Sequence, residues 1–239
     1  MNLILDIGNS STKMAIYNGH EKTGVFRPKE LSCENLEKLL LLHKIDRAII
    51  SSVRNIPDYI LDLLTINIPK IHFLTYKSKL PFKIEYDTPE TLGTDRIAAA
   101  AGAFNQFQGK DILIIDAGTA ITFDYLSDSA FKGGNISPGL MMRFKALNSF
   151  TGKLPLVSPE DNYSSPGKNS TDAIRAGVIT GIIYEINEYI RTFGEKYTDF
   201  EIILTGGDSR YFKDKINHRV TYKPDIVIDG LNYILEYNA

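Results

Sequence analysis

Asp6-Ile7-Gly8-Asn9-Ser10-Ser11-Thr12-Lys13 follows the apolar run Leu3-Ile4-Leu5. An apolar run ending in aspartate reads as a buried strand that delivers one carboxylate to its open end. Gly8 and Asn9 tolerate left-handed turn geometry, so a short hairpin is expected after it. A turn without large side chains exposes backbone N–H groups. Ser10, Ser11 and Thr12 add hydroxyls and Lys13 adds a point charge, a set suited to polyphosphate oxygens. The same residues serve equally as an ordinary hairpin whose Asp and Asn satisfy their own turn. A second copy shifts that balance. Leu113-Ile114-Ile115-Asp116-Ala117-Gly118-Thr119 repeats the pattern, with Asp116 lying 110 positions after Asp6. The sequence thus reads as two related halves, each placing a carboxylate and a glycine turn at a strand end. Two such turns facing one another would grip both ends of a nucleoside triphosphate.

A third cluster, Tyr86-Asp87-Thr88-Pro89-Glu90-Thr91-Leu92-Gly93-Thr94-Asp95-Arg96, crowds ionisable groups ahead of the alanine-rich segment 97–104. That segment is expected to be a tightly packed helix. Two starts fit it: a Thr88 cap with Pro89 at the first position, or Thr94 after Gly93. Under the second, Asp95 and Arg96 occupy the first turn. They then read either as an aspartate favoured by the helix dipole beside a solvated arginine, or as a general base beside a carboxylate clamp. Two glycine-rich breaks complete the set. Gly133-Gly134-Asn135-Ile136-Ser137-Pro138-Gly139 is either a bulge or a place where a ligand or another backbone comes close. Ile202-Ile203-Leu204-Thr205-Gly206-Gly207 is a buried strand that opens either into a tight strand-to-helix connection or into a turn lacking the Cβ atoms that would obstruct a nucleoside.

The elements that must position these residues follow in order. A strand is expected near 23–27. A helix capped by Ser32 carries Leu36, Leu39 and Leu40, a strand covers 47–53, a short helix 58–64 and another strand 71–75. Strands separated by helices imply parallel pairing and crossovers. In the second half, a helix from Leu140 to about Phe150 precedes an irregular, proline-bearing loop over 151–169. A long helix capped by Thr171 then places Ile174, Val178, Ile182, Ile186 and Ile190 on one face, and 225–235 forms a last amphipathic helix.

Composition narrows the class. The 239 residues are 43% hydrophobic and 23% charged with a net charge of −2, which advertises neither disorder nor a nucleic-acid surface. One cysteine, Cys33, excludes an intramolecular disulfide and fits a reducing compartment. No apolar run approaches the ~18 residues of a membrane span. The expectation is a cytoplasmic protein without membrane or nucleic-acid partners, divided into halves 1–109 and 110–239.

Taken together and in this order, Asp6-x-Gly8-Asn9-Ser10-x-x-Lys13, Gly93-x-Asp95-Arg96, Asp116-x-Gly118-Thr119, Gly133-Gly134-x-Ile136-x-Pro138-Gly139 and Thr205-Gly206-Gly207 resemble type III pantothenate kinases. The match runs from residue 3 to about residue 230, with serine at position 10 where threonine is common. The resemblance implies an α/β fold of two duplicated ribonuclease H-like halves, of the actin, sugar kinase and hexokinase-like superfamily, with a nucleotide cleft between them. It implies ATP-dependent phosphorylation of pantothenate to 4'-phosphopantothenate, the first step of coenzyme A biosynthesis.

Residue by residue, the resemblance makes Asp95 the general base. It assigns Asp6, Gly8, Asn9, Ser10, Ser11, Thr12, Lys13 and Thr119 to the ATP phosphates, and Gly206 and Gly207 to the region of the adenosine. Tyr86, Gly93, Thr94, Asp95, Arg96 and Thr171 are assigned to pantothenate. Asp116 becomes the ligand of a monovalent cation, K+ or NH4+, while Mg2+ accompanies the nucleotide. The resemblance also implies a homodimer, which the apolar face of the helix after Thr171 supports by offering more hydrophobic surface than one small domain covers. A small sugar or acyl kinase of the same superfamily, and a catalytically silent ATP-binding regulatory protein, are the rival readings.

Overall fold

The structure is a computed structural model that describes residues 1–28 and 30–239. Its elements in chain order are β1 (Asn2–Ile7), β2 (Thr12–Asn18), β3 (Glu21–Phe26), α1 (Cys33–Leu42), β4 (Arg47–Ser52), α2 (Asp58–Asn67), β5 (Lys70–Phe73), β6 (Lys83–Ile84) and α3 (Thr94–Gln106). Then come β7 (Asp111–Ala117), β8 (Ala120–Ser127), β9 (Ala130–Pro138), α4 (Leu140–Ser149), α5 (Ser170–Arg175) and α6 (Gly181–Lys196). The chain closes with β10 (Phe200–Thr205), α7 (Ser209–Phe212), β11 (Thr221–Tyr222) and α8 (Ile226–Tyr237). It divides into two units. The first holds 1–109, 129–132 and 225–239; the second holds 110–128 and 133–224.

In the first unit the sheet order is β3-β2-β1-β4-β5, with β1 antiparallel to β2 and parallel to β4. Period-two alternation decides which face each side chain takes. Leu3, Leu5 and Ile7 of β1, with Ala48 and Ile50 of β4, pack on Leu36, Leu39, Ile60 and Leu64 of α1 and α2. Asn2, Ile4 and Asp6 therefore turn to the other face, which α8 and α3 cover through contacts with β1 and β4. Alanines 98–101 of α3 are fully buried, and so small that α8 approaches to backbone contact. A Cβ on Gly230 would lie 1.9 Å from the Ala98 carbonyl oxygen, and one on Gly102 would lie 2.3 Å from that of Ile226. Beside this layer, β6 pairs with the first residues of β9, Lys83 with Ala130 and Ile84 with Phe131.

The second unit repeats the plan. Its strands follow the order β11-β10-β7-β8-β9, so β7, β8, β9, β10 and β11 occupy the places that β1 to β5 take in the first sheet. β7 is antiparallel to β8 and parallel to β10. Leu113, Ile115 and Ala117, with Ile202 and Leu204, face a core built on Phe144, Ile179, Ile182, Ile186, Ile190 and Phe193. Asp116, like Asp6, is thereby sent to the opposite face. The long helix is interrupted by a wide turn over 176–180, and its cap is Asn169, whose Oδ1 accepts from the Asp172 N–H at 2.9 Å. Thr171, expected as the cap, stands inside the first turn instead. The apolar stripe of this helix packs into its own unit's core, so it is not the spare hydrophobic surface that the sequence suggested.

Candidate active site

In the first unit the hairpin between β1 and β2 closes with the Gly8 N–H donating to the Ser11 carbonyl at 2.9 Å. Asn9, Ser10 and Ser11 are exposed on this turn. Asp6 pairs across it with Lys13. Burial raises the Asp6 carboxyl to about 6, against the pull of Lys13 and with a further push from the Asp95 charge. Thr12 departs from the sequence picture of a row of outward hydroxyls. It is 1% exposed, and its Oγ1 accepts from Arg54 Nη2 at 3.1 Å.

The helix α3 begins after Gly93, at the second of the two candidate starts, while Pro89–Thr91 forms only a short turn. Asp95 is half-buried in the first turn, and its Oδ1 accepts from the Arg96 N–H at 2.9 Å. The carboxylate folds back over Gly93, where a Cβ would sit 2.4 Å from Oδ1, so glycine at 93 leaves the space that Asp95 fills. Thr94 is tied to the sheet by a 2.9 Å hydrogen bond between its Oγ1 and Ser51 Oγ, and Ser51 is the β4 partner of Asp6. Asp6, Ser51, Thr94 and Asp95 thus form one constellation at the carboxyl ends of β1 and β4. Arg96 is 7% exposed, with its Cζ 5.9 Å from the Tyr86 ring and 5.6 Å from that of Phe131. At these distances the guanidinium is attracted by the quadrupole of each ring, a cation–π contact.

The second unit gathers Asp116, Gly118, Thr119, Gly139 and Gly206. The turn after β7 is closed by the Gly118 N–H on the Ala120 carbonyl at 3.0 Å, and the Gly139 N–H donates to Thr119 at 3.1 Å. A Cβ on Gly139 would lie 2.1 Å from the Gly118 carbonyl, so this glycine lets the start of α4 rest on the turn. Thr205 pairs with Asp116. Gly206 has φ +97° and would place a Cβ 2.4 Å from Asp116 Oδ1, whereas around Gly207 the space is open. Thr205 Oγ1 is buried and has no hydrogen-bond partner among the described residues. Thr119 is exposed. Thr171 lies in α5, away from this group in sequence and with no hydrogen bond to it among the described residues. A cavity of about 570 Å3 in this unit is bordered by Lys110, Phe200 and Ile202. It sits at the opposite strand ends from Asp116, and no site residue lines it.

Ser51, in the first constellation, and Phe131, beside Arg96, carried no motif. A polar strand end at Ser51-Ser52 was visible in the sequence, but its hydrogen bond to a residue 43 positions later was not.

Two sheets of the same order, each ending in a carboxylate and a glycine turn, define the class of fold. A solved glucokinase from an Antarctic psychrotroph covers 100% of this chain and 99% of its own at a TM-score of 0.54 and 11% identity, a likeness of fold alone. The fold is that of the actin- and hexokinase-like kinases. A profile of the family described as type III pantothenate kinase matches residues 2–192. A type III pantothenate kinase of Bacteroides fragilis is 42% identical over 239 residues, spanning 100% of this chain and 98% of the relative. One of Cytophaga hutchinsonii is 39% identical over 241 residues, spanning 100% of both. The chain belongs to the type III pantothenate kinase family.

Proposed function

We propose that Asp95 is the general base for ATP-dependent phosphorylation of pantothenate, the activity that goes with this family and yields 4'-phosphopantothenate for coenzyme A synthesis. The observation that carries the reading is the half-buried Asp95 carboxylate, held over Gly93 at the start of α3 and coupled in charge to Asp6. Asp95 accepts the proton of the primary hydroxyl as its oxygen bonds to the γ-phosphorus and the bond to the β-phosphate oxygen breaks, releasing ADP. Little covalent work falls to the protein in such a transfer; positioning and charge neutralisation supply most of the acceleration.

In the first unit the exposed turn Asn9-Ser10-Ser11, with Lys13, is read as a phosphate cradle. Arg96, a buried guanidinium beside the Tyr86 and Phe131 rings, suits a carboxylate such as that of pantothenate. Gly93 and Thr94 shape the same substrate region. In the second unit Thr119 is assigned to ATP phosphate, Gly206 and Gly207 to the nucleoside, and Thr171 to pantothenate.

Among the described residues no group of three or more His, Cys, Asp or Glu gathers into a metal cage. That suits Mg2+ held mainly by phosphate oxygens and water. At Asp116 the donor set is all oxygen: one carboxylate, the turn carbonyls, and the orphaned Thr205 hydroxyl on the neighbouring strand. Such a set fits a hard monovalent cation, and Asp116 would hold it. When bound, these cations offset phosphate charge. Equal turnover in potassium and sodium would remove the monovalent cation from this reading.

A homodimer in the cytoplasm completes the proposal. The surface that supports it is exposed Met141 and Met142 on α4 with Tyr184 on α6. No helix among the described residues is long and apolar enough to cross a membrane. An ADP-release assay with pantothenate and then a panel of sugars tests the acceptor. Turnover is expected with pantothenate alone; turnover with a hexose alone would reassign it, and turnover with neither would leave an ATP-binding regulatory protein.

A further inference from the structure

Arg54 is a cation beside the phosphate turn that no motif nominated. β1 and β4 run parallel with Ile7 beside Ser52, so the loop after β4 leaves the sheet next to the turn after β1. The Val53 N–H donates to the Ile7 carbonyl at 3.1 Å and binds the two exits together. In parallel sheets, ligands bind outside the carboxyl ends of the strands, and Arg54 stands two residues past one such end. Its backbone is held on both sides by Ser52 Oγ, which donates to the Arg54 carbonyl at 2.6 Å and accepts from its N–H at 3.3 Å. The side chain then reaches across to β2, where Nη2 meets the buried Thr12 Oγ1.

A guanidinium carries five N–H donors, and the Thr12 bond uses one. Arg54 is exposed and makes no ion pair among the described residues, although Glu30 borders the same cavity of about 270 Å3, with Ile7, Leu31 and Asn55. Lys13, by contrast, has its charge engaged with Asp6. A cation pinned by a neutral hydroxyl keeps its full charge, and part of its side-chain freedom is already lost before any ligand arrives. That is a preorganised fork for a phosphate.

We propose that Arg54 binds the phosphate chain of the nucleotide, with Thr12 as its positioning residue rather than a direct ligand. The proposal rests on the nucleotide half of the reading above and not on the identity of the acceptor. The test is calorimetric affinity for Mg-ATP and for AMP, without acceptor, in the wild type and in Arg54→Gln, Arg54→Lys and Thr12→Val, together with KM for both substrates and Tm.

Arg54→Gln should weaken ATP about 10- to 100-fold, as loss of a charge-assisted bond does, and leave AMP affinity and the pantothenate KM near wild type. Arg54→Lys should recover part of the loss, because it keeps the charge and not the fork. Thr12→Val should weaken ATP in the same direction by less. Wild-type ATP affinity in Arg54→Gln, or an equal loss for ATP and AMP with a lowered Tm, would overturn the proposal. If Arg54→Gln does not fold, wild-type ATP affinity in both Arg54→Lys and Thr12→Val overturns it. Wild-type protein that shows this ATP pattern but does not phosphorylate pantothenate sinks the acceptor assignment and leaves Arg54 in place; wild-type protein that binds no nucleotide sinks both.

Discussion

On the proposed reading, function depends on Asp95 more than on any other single side chain. Asp95→Asn keeps the volume and much of the hydrogen bonding but cannot take a proton. General-base catalysis typically contributes about 10²–10⁴-fold, so kcat should fall by that range while ATP affinity holds. Were Asp95 only a helix-end charge, the change would cost roughly 0.3–1 kcal/mol and spare turnover. Asp6 offers a pH test with a definite sign. Its folded pKa lies above its unfolded one, so the folded state binds the proton more tightly, and stability falls as pH rises from about 4 to about 6. Above that window the ionised carboxylate costs on the order of 2–3 kcal/mol in the absence of ligand. Asp6→Asn should therefore be more stable than wild type in urea at pH 7.5, and the gap should shrink towards pH 4. A gap that does not change with pH would show that burial does not dominate at Asp6. The carboxylates and turn glycines were legible in the sequence because strand alternation and turn chemistry are local. The burial of Thr12 was not visible, and Arg54 and Ser51 were missed, because burial and cross-strand reach depend on partners distant in the chain.

At the scale of elements, local signals settled most helices and erred where tertiary packing overrode them. Ser32 caps α1 as expected, its Oγ accepting from the Asn35 N–H at 3.3 Å. The long helix instead starts under Asn169, whose Oδ1 accepts from the Asp172 N–H, so Thr171 falls inside the first turn. The two-residue strands β6 and β11 have too few residues to show any period. The contact of α3 with α8 gives the sharpest prediction here. Gly230→Ala would drive a methyl group into the Ala98 carbonyl, one turn from Asp95. Overpacking of this kind costs about 1–3 kcal/mol, occasionally more, and the helices must part to relieve it. The urea midpoint should fall and kcat with it; an unchanged midpoint would mean that α8 yields without moving α3.

For the molecule as a whole, duplication was the most legible property, because the Asp-x-Gly signature recurs at one spacing and both sheets share an order. Self-association was inferred from the wrong surface. A helix stripe reads the same whether it covers its own core or a partner's, and here it covers its own. Light scattering should still return twice the chain mass, and charged replacements at Met141 and Met142 should lower it. A monomer with full activity at the same dilution would remove the dimer.

The assignment of α8 to the first unit bears on synthesis. On the ribosome, β1 to β5 emerge early, yet the helix that covers one face of their sheet is made only after the entire second unit. Until Ile226–Tyr237 appears, Ile4 and Ile49 lack part of their apolar cover, and a nascent chain has a finished second unit beside an unfinished first one. Ribosome-bound chains stalled at residue 224 should accordingly be cut by protease within the first hundred residues and resist it in the second unit. Equal resistance in both would show that the early sheet closes without its last helix.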